Sequence, residues 1–415
     1  MIIVIDAYSS GNLIAKELYE RSVSLIHVRS SKYLPDSYIK TFDKSIFHEC
    51  IEYNEDYEAL LNYLESKDVK HVIAGKESGV PLAEKLGNDL KVMTNESRIE
   101  KCRRNKYLMI ETIDLAGLRA AKHFRSSDLQ EILRRIPECN GYPVVLKPEE
   151  SGGSDGVAIC NDEKSVEVAF KNILEARNKL GFLNHRVLVE EYLGGKEYLV
   201  NSVSYGGNHY ITDYGFSNRE VTTDDGIIYD SIDMLEPEGE IYEIIKDYYF
   251  KVLDALGIVN SASHGEVKVD DKGVVLIEVG ARLPGINYPM LVELCVPYGP
   301  VQALADVYTN PERFIEKIQI DQYPRKMGRV VFLQSPVTGR LIEELNFEFL
   351  KDLRSFVSLT LEIHKGDAIS ETQDLFSCPG FVMLAHKDPD VLERDHQCIR
   401  KMEKVIYGKA VCKNF

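Results

Sequence analysis

Glu266 and Glu278 stand on either side of the turn-forming sequence Asp270-Asp271-Lys272-Gly273. The runs Glu266-Val-Lys-Val and Val274-Val-Leu-Ile-Glu278-Val have the alternation of strands, so His264–Gly280 reads as a hairpin. A turn centred on Lys272 places Glu266 opposite Glu278. Val267, Val269, Val275, Ile277 and Val279 then pack the core, while Glu266, Lys268 and Glu278 share the other face. Carboxylates directly opposite across a ladder are about 5 Å apart at Cβ and repel. A hard divalent ion such as Mg2+ relieves that repulsion and keeps positions open for water and phosphate oxygens. A solvated face neutralised by Lys268 is the competing explanation, and the hairpin alone does not choose between them.

A second group of residues suits phosphate. Val144–Lys147 is a short apolar strand ending at Pro148, and Ser151-Gly-Gly-Ser-Asp-Gly156 follows before another strand, Val157–Cys160. Glycines let main-chain N–H groups close over phosphate oxygens without a Cβ in the way. No Gly-Lys-Ser/Thr follows, so this is not a Walker A loop, and taken alone it reads more readily as a flexible hairpin loop than as a phosphate loop. Lys147 adds weight, because a lysine at the end of an apolar strand costs desolvation unless it meets an anion. Lys106 lies on a helical stretch and, taken alone, is an ordinary surface charge. Glu190-Glu191-Tyr192-Leu193 ends a strand on an apolar, partly aromatic step. Such an edge offers main-chain groups and a carboxylate to an adenine amino group, and Glu197 lies within reach of ribose hydroxyls. Exposed acids before a Gly-Gly turn explain the same segment.

The elements that must position these groups alternate. Met1–Asp6, Val23–Val28 and Val69–Ala74 read as strands; Leu13–Arg21, Tyr57–Ser66 and Gly79–Leu86 read as helices. Alternation of this kind predicts an open, mostly parallel α/β sheet. Helical patterns then cover Arg98–Leu118, Ser165–Leu180, Tyr242–Leu256, Gly299–Val307 and Pro389–Tyr407. Val187–Tyr192 is a strand, and Glu197–Tyr205 with His209–Tyr214 form an expected antiparallel pair. The turn Asp6–Gly11 lacks Gly-x-Gly-x-x-Gly, which argues against a nicotinamide dinucleotide. At 415 residues the chain divides into two or three domains. Its formal net charge of −16 disfavours nucleic acid and anionic membrane as partners. No stretch approaches a membrane span, and the start MIIVIDAYSS lacks a basic leader. Eight cysteines without a Cys-x-x-Cys pair suit a reducing cytoplasm rather than a disulfide framework or zinc site.

In chain order, these pieces resemble the ATP-grasp superfamily. The order is Lys106, then Val-Val-Leu-Lys147-Pro, the Gly-rich loop, Glu-Glu-Tyr-Leu-Gly-Gly-Lys-Glu197-Tyr, and the Glu266…Glu278 hairpin. The resemblance is strong from Arg98 to Pro289. It implies an α/β and α+β architecture: an N-terminal open parallel α/β domain over 1–97, a small lobe with linker helix over 98–193, and a large lobe with C-terminal extension over 194–415. Many members carry Glu-x-Asn after the second metal strand, the Asn being a further Mg2+ ligand. Here Gly280 stands at that place, in Glu278-Val-Gly280-Ala-Arg282-Leu-Pro-Gly285. That segment resembles the L-amino-acid ligases of the bacilysin type, which make dipeptides. His364-Lys-Gly-Asp367 and Cys378-Pro-Gly-Phe-Val are similar to the C-terminal lobe of the same group.

The resemblance implies roles. Lys106 and Lys147 bind ATP phosphates, and Ser151, Gly152, Gly153, Ser154 and Gly156 close over them. Glu190 and the backbone of Tyr192 and Leu193 hold adenine, with Glu197 near ribose. Glu266 and Glu278 carry one or two Mg2+, for which Mn2+ is a substitute. Lys147 and Arg282 are the catalytic cations, with Arg282 facing the γ-phosphate and the reacting carboxylate. Gly285 and Ile286 shape the donor pocket, where Ile286 leaves room for a donor bigger than alanine. His264 is either a neighbour of the metal ligands that touches substrate or a core-edge histidine. The implied reaction activates an amino-acid carboxylate as an acyl phosphate and passes it to the amine of a second amino acid. A carboxylase or purine-pathway ligase acting on bicarbonate or formate, and an inert nucleotide-binding module, are the alternatives. Homodimers are common in the superfamily; the sequence marks no surface for one.

Overall fold

The structure is a computed structural model, and it describes residues 1–34, 36–179, 181–221, 227–320, 323–373 and 377–412. The chain forms two compact units. The first comprises 1–214, 237–290 and 298–321; the second comprises 215–236, 291–297 and 322–415.

The first unit begins with four parallel strands, β1 (Ile2–Ile5), β2 (Leu25–Arg29), β3 (Glu49–Glu52) and β4 (His71–Ala74), in the order β3-β2-β1-β4. This is the open parallel sheet expected from the alternation. β1 is buried along its whole length, as a central parallel strand covered on both faces must be. β3 went unread because its outer side chains are half exposed and its apolar run is short. The next sheet contains β5 (His123–Ser126), β6 (Val144–Pro148), β7 (Ala158–Cys160) and β8 (Val187–Glu191), ordered β5-β8-β6-β7. β9 (Lys196–Tyr205), β10 (Asn208–Val221), β12 (Ala262–Asp270) and β13 (Gly273–Gly280) follow in the order β13-β12-β9-β10, with β11 (Ile227–Leu235) falling in the second unit.

Two helix expectations are corrected. Arg98–Leu118 is not one helix: a 3-10 helix spans Ser97–Arg103, the chain breaks at Arg104 and Asn105, and an α-helix runs Lys106–Leu115. Asn105 causes the restart. Its side chain accepts from the Leu108 N–H at 3.1 Å and caps the new helix. The helix expected over Ser165–Leu180 spans Glu163–Ile173, started by an Asp162–Ser165 capping box. It ends where Leu174 turns extended and Glu175 adopts a positive φ of 58°; Leu180 lies outside the described residues.

In the second unit β11, β14 (Met327–Phe332), β18 (Gly380–His386) and β16 (Phe356–Leu361) are neighbours in that order. A small sheet joins β15 (Gly339–Leu341), β17 (Ala368–Ile369) and β19 (Val411–Cys412). Helix Pro389–Ala410 supplies Leu392, Ile399 and Tyr407 to a core shared with Val331, Val382 and Leu384. No helix among the described residues is long and apolar enough to cross a membrane.

One core group has a pH signature. His27 on β2 is buried among Tyr8, Phe42 and Phe47, with ring centroids 5.4, 4.3 and 5.5 Å away. Burial, helped by Arg29, holds its imidazole down at about 4. Between about pH 6.5, where an unfolded His titrates, and about 4, the unfolded chain binds a proton the folded chain refuses. Stability is therefore lost as pH falls through that window, on the order of 2–3 kcal/mol from this group. Thermal melting between pH 7 and 4.5 is expected to show a steeper decline for the wild type than for His27→Leu.

Candidate active site

Capping by Asn105 makes Lys106 the first residue of its helix and turns its side chain inward, so the surface-charge reading of Lys106 is corrected: it is 5% exposed. Its ammonium donates to the Ser151 carbonyl at 2.7 Å and pairs with Glu278 at 3.0 Å. Ser151 lies in the connection between the antiparallel strands β6 and β7 and is itself buried. Beyond it Gly153, Ser154 and Gly156 take positive φ of 66°, 61° and 72°. A Cβ at Gly156 would also lie 2.9 Å from the Pro148 ring, which fixes glycine there. Gly152 lies between Ser151 and this left-handed stretch.

The hairpin pairs Glu266 with Glu278, but not by the expected route. The turn is centred between Asp271 and Lys272, because Asp270 pairs with Gly273 and Val269 with Val274. Continued regularly, that register would set Ile277 against Glu266. A β-bulge inserts Ile277 as an extra residue and restores the Glu266–Glu278 pair. Ile277, expected in the core, is consequently only half-buried, and Leu276 is buried instead. Burial alone would raise the Glu278 carboxyl; Lys106, then Lys147 and Arg282, hold it well below the usual range. Glu278 is thus an anion surrounded by cations. Lys268 directs its ammonium to the Leu193 carbonyl at 2.7 Å and lies over the Tyr192 ring.

β6 and β8 place Lys147 and Glu190 on neighbouring strands, and their side chains pair at 2.8 Å, both buried. Tyr192 is 40% exposed and Leu193 half-buried, at the edge where β8 gives way to β9. Glu197 is buried on β9, opposite Lys268 of β12.

Arg282 follows β13. Its Nε donates to Glu77 Oε2 at 2.7 Å and its Nη1 to the Leu283 carbonyl at 2.9 Å. Glu77 comes from the turn after β4, and a Cβ on Gly280 would lie 2.5 Å from its Oε2. The glycine at 280 therefore leaves space that the Glu77 carboxylate fills. Burial opposes ionisation of Glu77, and Arg282 and Arg104 together hold its carboxyl below the usual range. Gly280→Ala is expected to displace Glu77 and slow turnover about tenfold to a hundredfold. Steady-state phosphate release, with thermal melting alongside, measures it.

His264 Nδ1 meets Asn201 Oδ1 at 2.7 Å, and Asn201 Nδ2 donates to Asp213 Oδ2 at 2.6 Å. The amide oxygen only accepts, so Nδ1 carries the hydrogen and Nε2, 3.8 Å from Glu266, carries the lone pair. Burial, reinforced by Arg282, holds this imidazole neutral at about 3. Further along, Ile286 and Asn287 both have positive φ, 50° and 58°. A β-branched residue there is strained, and such strain gathers at functional sites. The Ser9 hydroxyl donates to Asn287 Oδ1 at 3.2 Å, and Ser10 donates to the Pro284 carbonyl. Among the described residues no hydrogen bond ties Gly285 or Ile286 to the carboxylates; the Gly285 carbonyl accepts from Tyr288 N–H.

A family model for the ATP-grasp domain matches residues 140–289, which hold the Gly-rich loop and the carboxylate hairpin. Dapdiamide A synthase of Enterobacter agglomerans is 30% identical over 413 residues, 98% of this chain and 96% of that protein. The chain belongs to the ATP-grasp family. An L-amino acid ligase from Bacillus licheniformis has the same fold as this ATP-grasp chain, with TM-score 0.77, 17% identity and 96% of each chain covered. A phosphoribosylglycinamide synthetase from Anaerococcus prevotii gives 0.66 at 16% identity, covering 100% of this chain and 99% of that one. At these identities the two structures speak to fold alone.

Sequence reasoning missed Glu77, Asn201 and Ser9. Glu77 and Ser9 come from the N-terminal sheet's turns and meet Arg282 and Asn287 only through folding. Asn201 lies directly across from His264 in the β9–β12 register, a pairing of distant strands that the sequence pattern does not give.

Proposed function

We propose that this ATP-grasp chain spends MgATP to activate an amino-acid carboxylate as an acyl phosphate and joins it to the amine of a second amino acid. The products are a dipeptide or similar amide, ADP and phosphate. One observation carries the reading: Lys106 touches both the Gly-rich loop at Ser151 and Glu278. A phosphate lysine, a phosphate loop and a metal carboxylate thus meet at one point. The relation to Dapdiamide A synthase along nearly the whole chain supports an amide-forming ligase over the bicarbonate and formate alternatives.

The donor set fits a divalent ion. Glu266 and Glu278 are paired hard oxygen donors, and the Lys106 ammonium now stands against Glu278, where a cation's charge is needed. In this reading they hold Mg2+, or Mn2+ in its place; when bound, the ion neutralises phosphate charge and polarises the transferring phosphoryl group. Lys106, released from Glu278, moves to the phosphates with Lys147. The Ser151–Gly156 loop closes over them and excludes water that would hydrolyse the acyl phosphate. Glu190, Tyr192 and Leu193 hold adenine, and Glu197 ribose. Arg282, its Nε fixed by Glu77, faces the γ-phosphate and then the oxyanion formed when the amine attacks. Gly285, Ile286 and His264 line the donor side.

The domains in this reading are 1–97, 98–193 and 194–415. The protein works in the cytoplasm on small-molecule amino acids, without nucleic acid or membrane as partner, and homodimerisation is compatible with it. The test is phosphate release with MgATP across all pairs of the twenty amino acids, products being identified by mass. Amide product from at least one pair is expected. If no pair raises release above background, the reading is wrong.

A further inference from the structure

The run Arg103-Arg104-Asn105-Lys106 contains two buried arginines that are satisfied very differently. Arg103 uses all three nitrogens. Nε and Nη2 fork onto the Glu84 carboxylate at 2.6 and 2.9 Å, Nη1 donates to the Leu256 carbonyl, and Nη2 also reaches the Glu96 carbonyl. It is a structural cation. Arg104, 6% exposed, donates only through Nη1, to Glu77 Oε1 at 3.1 Å and to the Ser151 carbonyl at 3.2 Å. Its Nε and Nη2 are buried and without a hydrogen-bond partner among the described residues. A buried donor left unpaired costs about 1–3 kcal/mol, more when charged. A guanidinium half used in this way points to an acceptor that arrives with a ligand.

The surroundings define its class. Glu77 bridges Arg104 to Arg282, and the Ser151 carbonyl is shared by Arg104 and Lys106. Arg104 therefore stands between Lys106, assigned to the ATP phosphates, and Arg282, assigned to the reacting group. The unused Nε–H and Nη2–H form the side-on fork of an arginine, which matches two oxygens of a phosphate or carboxylate and not a lone neutral acceptor. Phe182 covers the guanidinium at 5.5 Å.

We propose that Arg104 is a further oxyanion-binding residue of this site, its Nε–H and Nη2–H taking either a phosphate group of the nucleotide or the carboxylate of an amino-acid substrate. The identity of the oxyanion rests on the ligase reading above; its place rests on Arg104, Glu77 and Ser151.

Arg104→Met and Arg104→Lys, in the full chain, test it. Calorimetry measures binding of MgADP, and of inorganic phosphate with MgADP saturating. Steady-state phosphate release gives KM for ATP and for each amino acid of an accepted pair. Arg104→Met is expected to weaken at least one of these constants tenfold or more, and Arg104→Lys by less, with melting temperatures within a few degrees of wild type. A change in nucleotide or phosphate binding assigns the fork to phosphate; a change confined to one amino acid assigns it to carboxylate. If every constant stays within twofold in both variants, the proposal falls. If Arg104→Met does not fold, Arg104→Lys decides by the same twofold limit. If the wild type is inactive with every amino-acid pair, the ligase reading fails separately, and the calorimetry still decides Arg104.

Discussion

Glu278→Gln is expected to lower amino-acid-dependent phosphate release about a thousandfold at ordinary Mg2+, the equivalent of roughly 4 kcal/mol. The substitution keeps the shape of the side chain and removes the charge on which three cations converge. Two losses combine. In the proposed reading a divalent ion loses one of its paired carboxylates, and Lys106 loses the partner that holds it beside the Gly-rich loop. Raising Mg2+ is expected to recover part of the rate, because the first loss is one of ion affinity. A titration of phosphate release against Mg2+ at saturating ATP measures this. Wild-type rates at ordinary Mg2+ would remove Glu278 from the metal assignment.

Arg282→Met should cost about a hundredfold to a thousandfold in kcat, the usual effect of deleting one donor aimed at developing negative charge. Arg282 is fixed twice, by Glu77 at Nε and by the Leu283 carbonyl at Nη1, which leaves Nη2 as its least committed end. In the proposed role this held group acts where charge develops in the transition state and adds little to ground-state binding. KM for ATP is therefore expected to stay within about threefold while kcat falls. Arg282→Lys should recover little, since an ammonium cannot hold Glu77 and face the phosphate in the same geometry. Steady-state kinetics on both variants, with melting curves to establish folding, separates these outcomes. A large rise in KM with unchanged kcat would make Arg282 a binding residue instead.

What could be read from the sequence follows from range. Glu266 and Glu278 were legible as a hairpin pair because both strands are local, although the pairing rests on a bulge at Ile277 that alternation does not reveal; Lys147 and its Gly-rich loop were legible because both lie on one connection. Lys106 was legible only by resemblance. Its burial depends on Asn105 breaking the helix, a capping signal present in the sequence but outweighed by the helical pattern around it. Glu77 was not legible at all. It lies in an ordinary turn after β4, and its role depends on a space at Gly280 that exists only once the two segments meet. The missing side chain at 280 was visible in the sequence, but the carboxylate that occupies its place was not.

The bulge at Ile277 has a further bearing on how this site tolerates change. A strand has only two phases, and every side chain beyond a given point belongs to one or the other. On β13 the phase changes once, at Ile277, and Glu278 lies on the far side of that change. Substitutions along β13 leave the phase intact, whatever they do to packing. An insertion or deletion of a single residue between the turn and Glu278 reverses it, turning the carboxylate toward the buried side and an apolar neighbour toward Glu266. The two acids therefore depend on the number of residues between them as much as on their own identity, and β13 can vary far more freely in composition than in length.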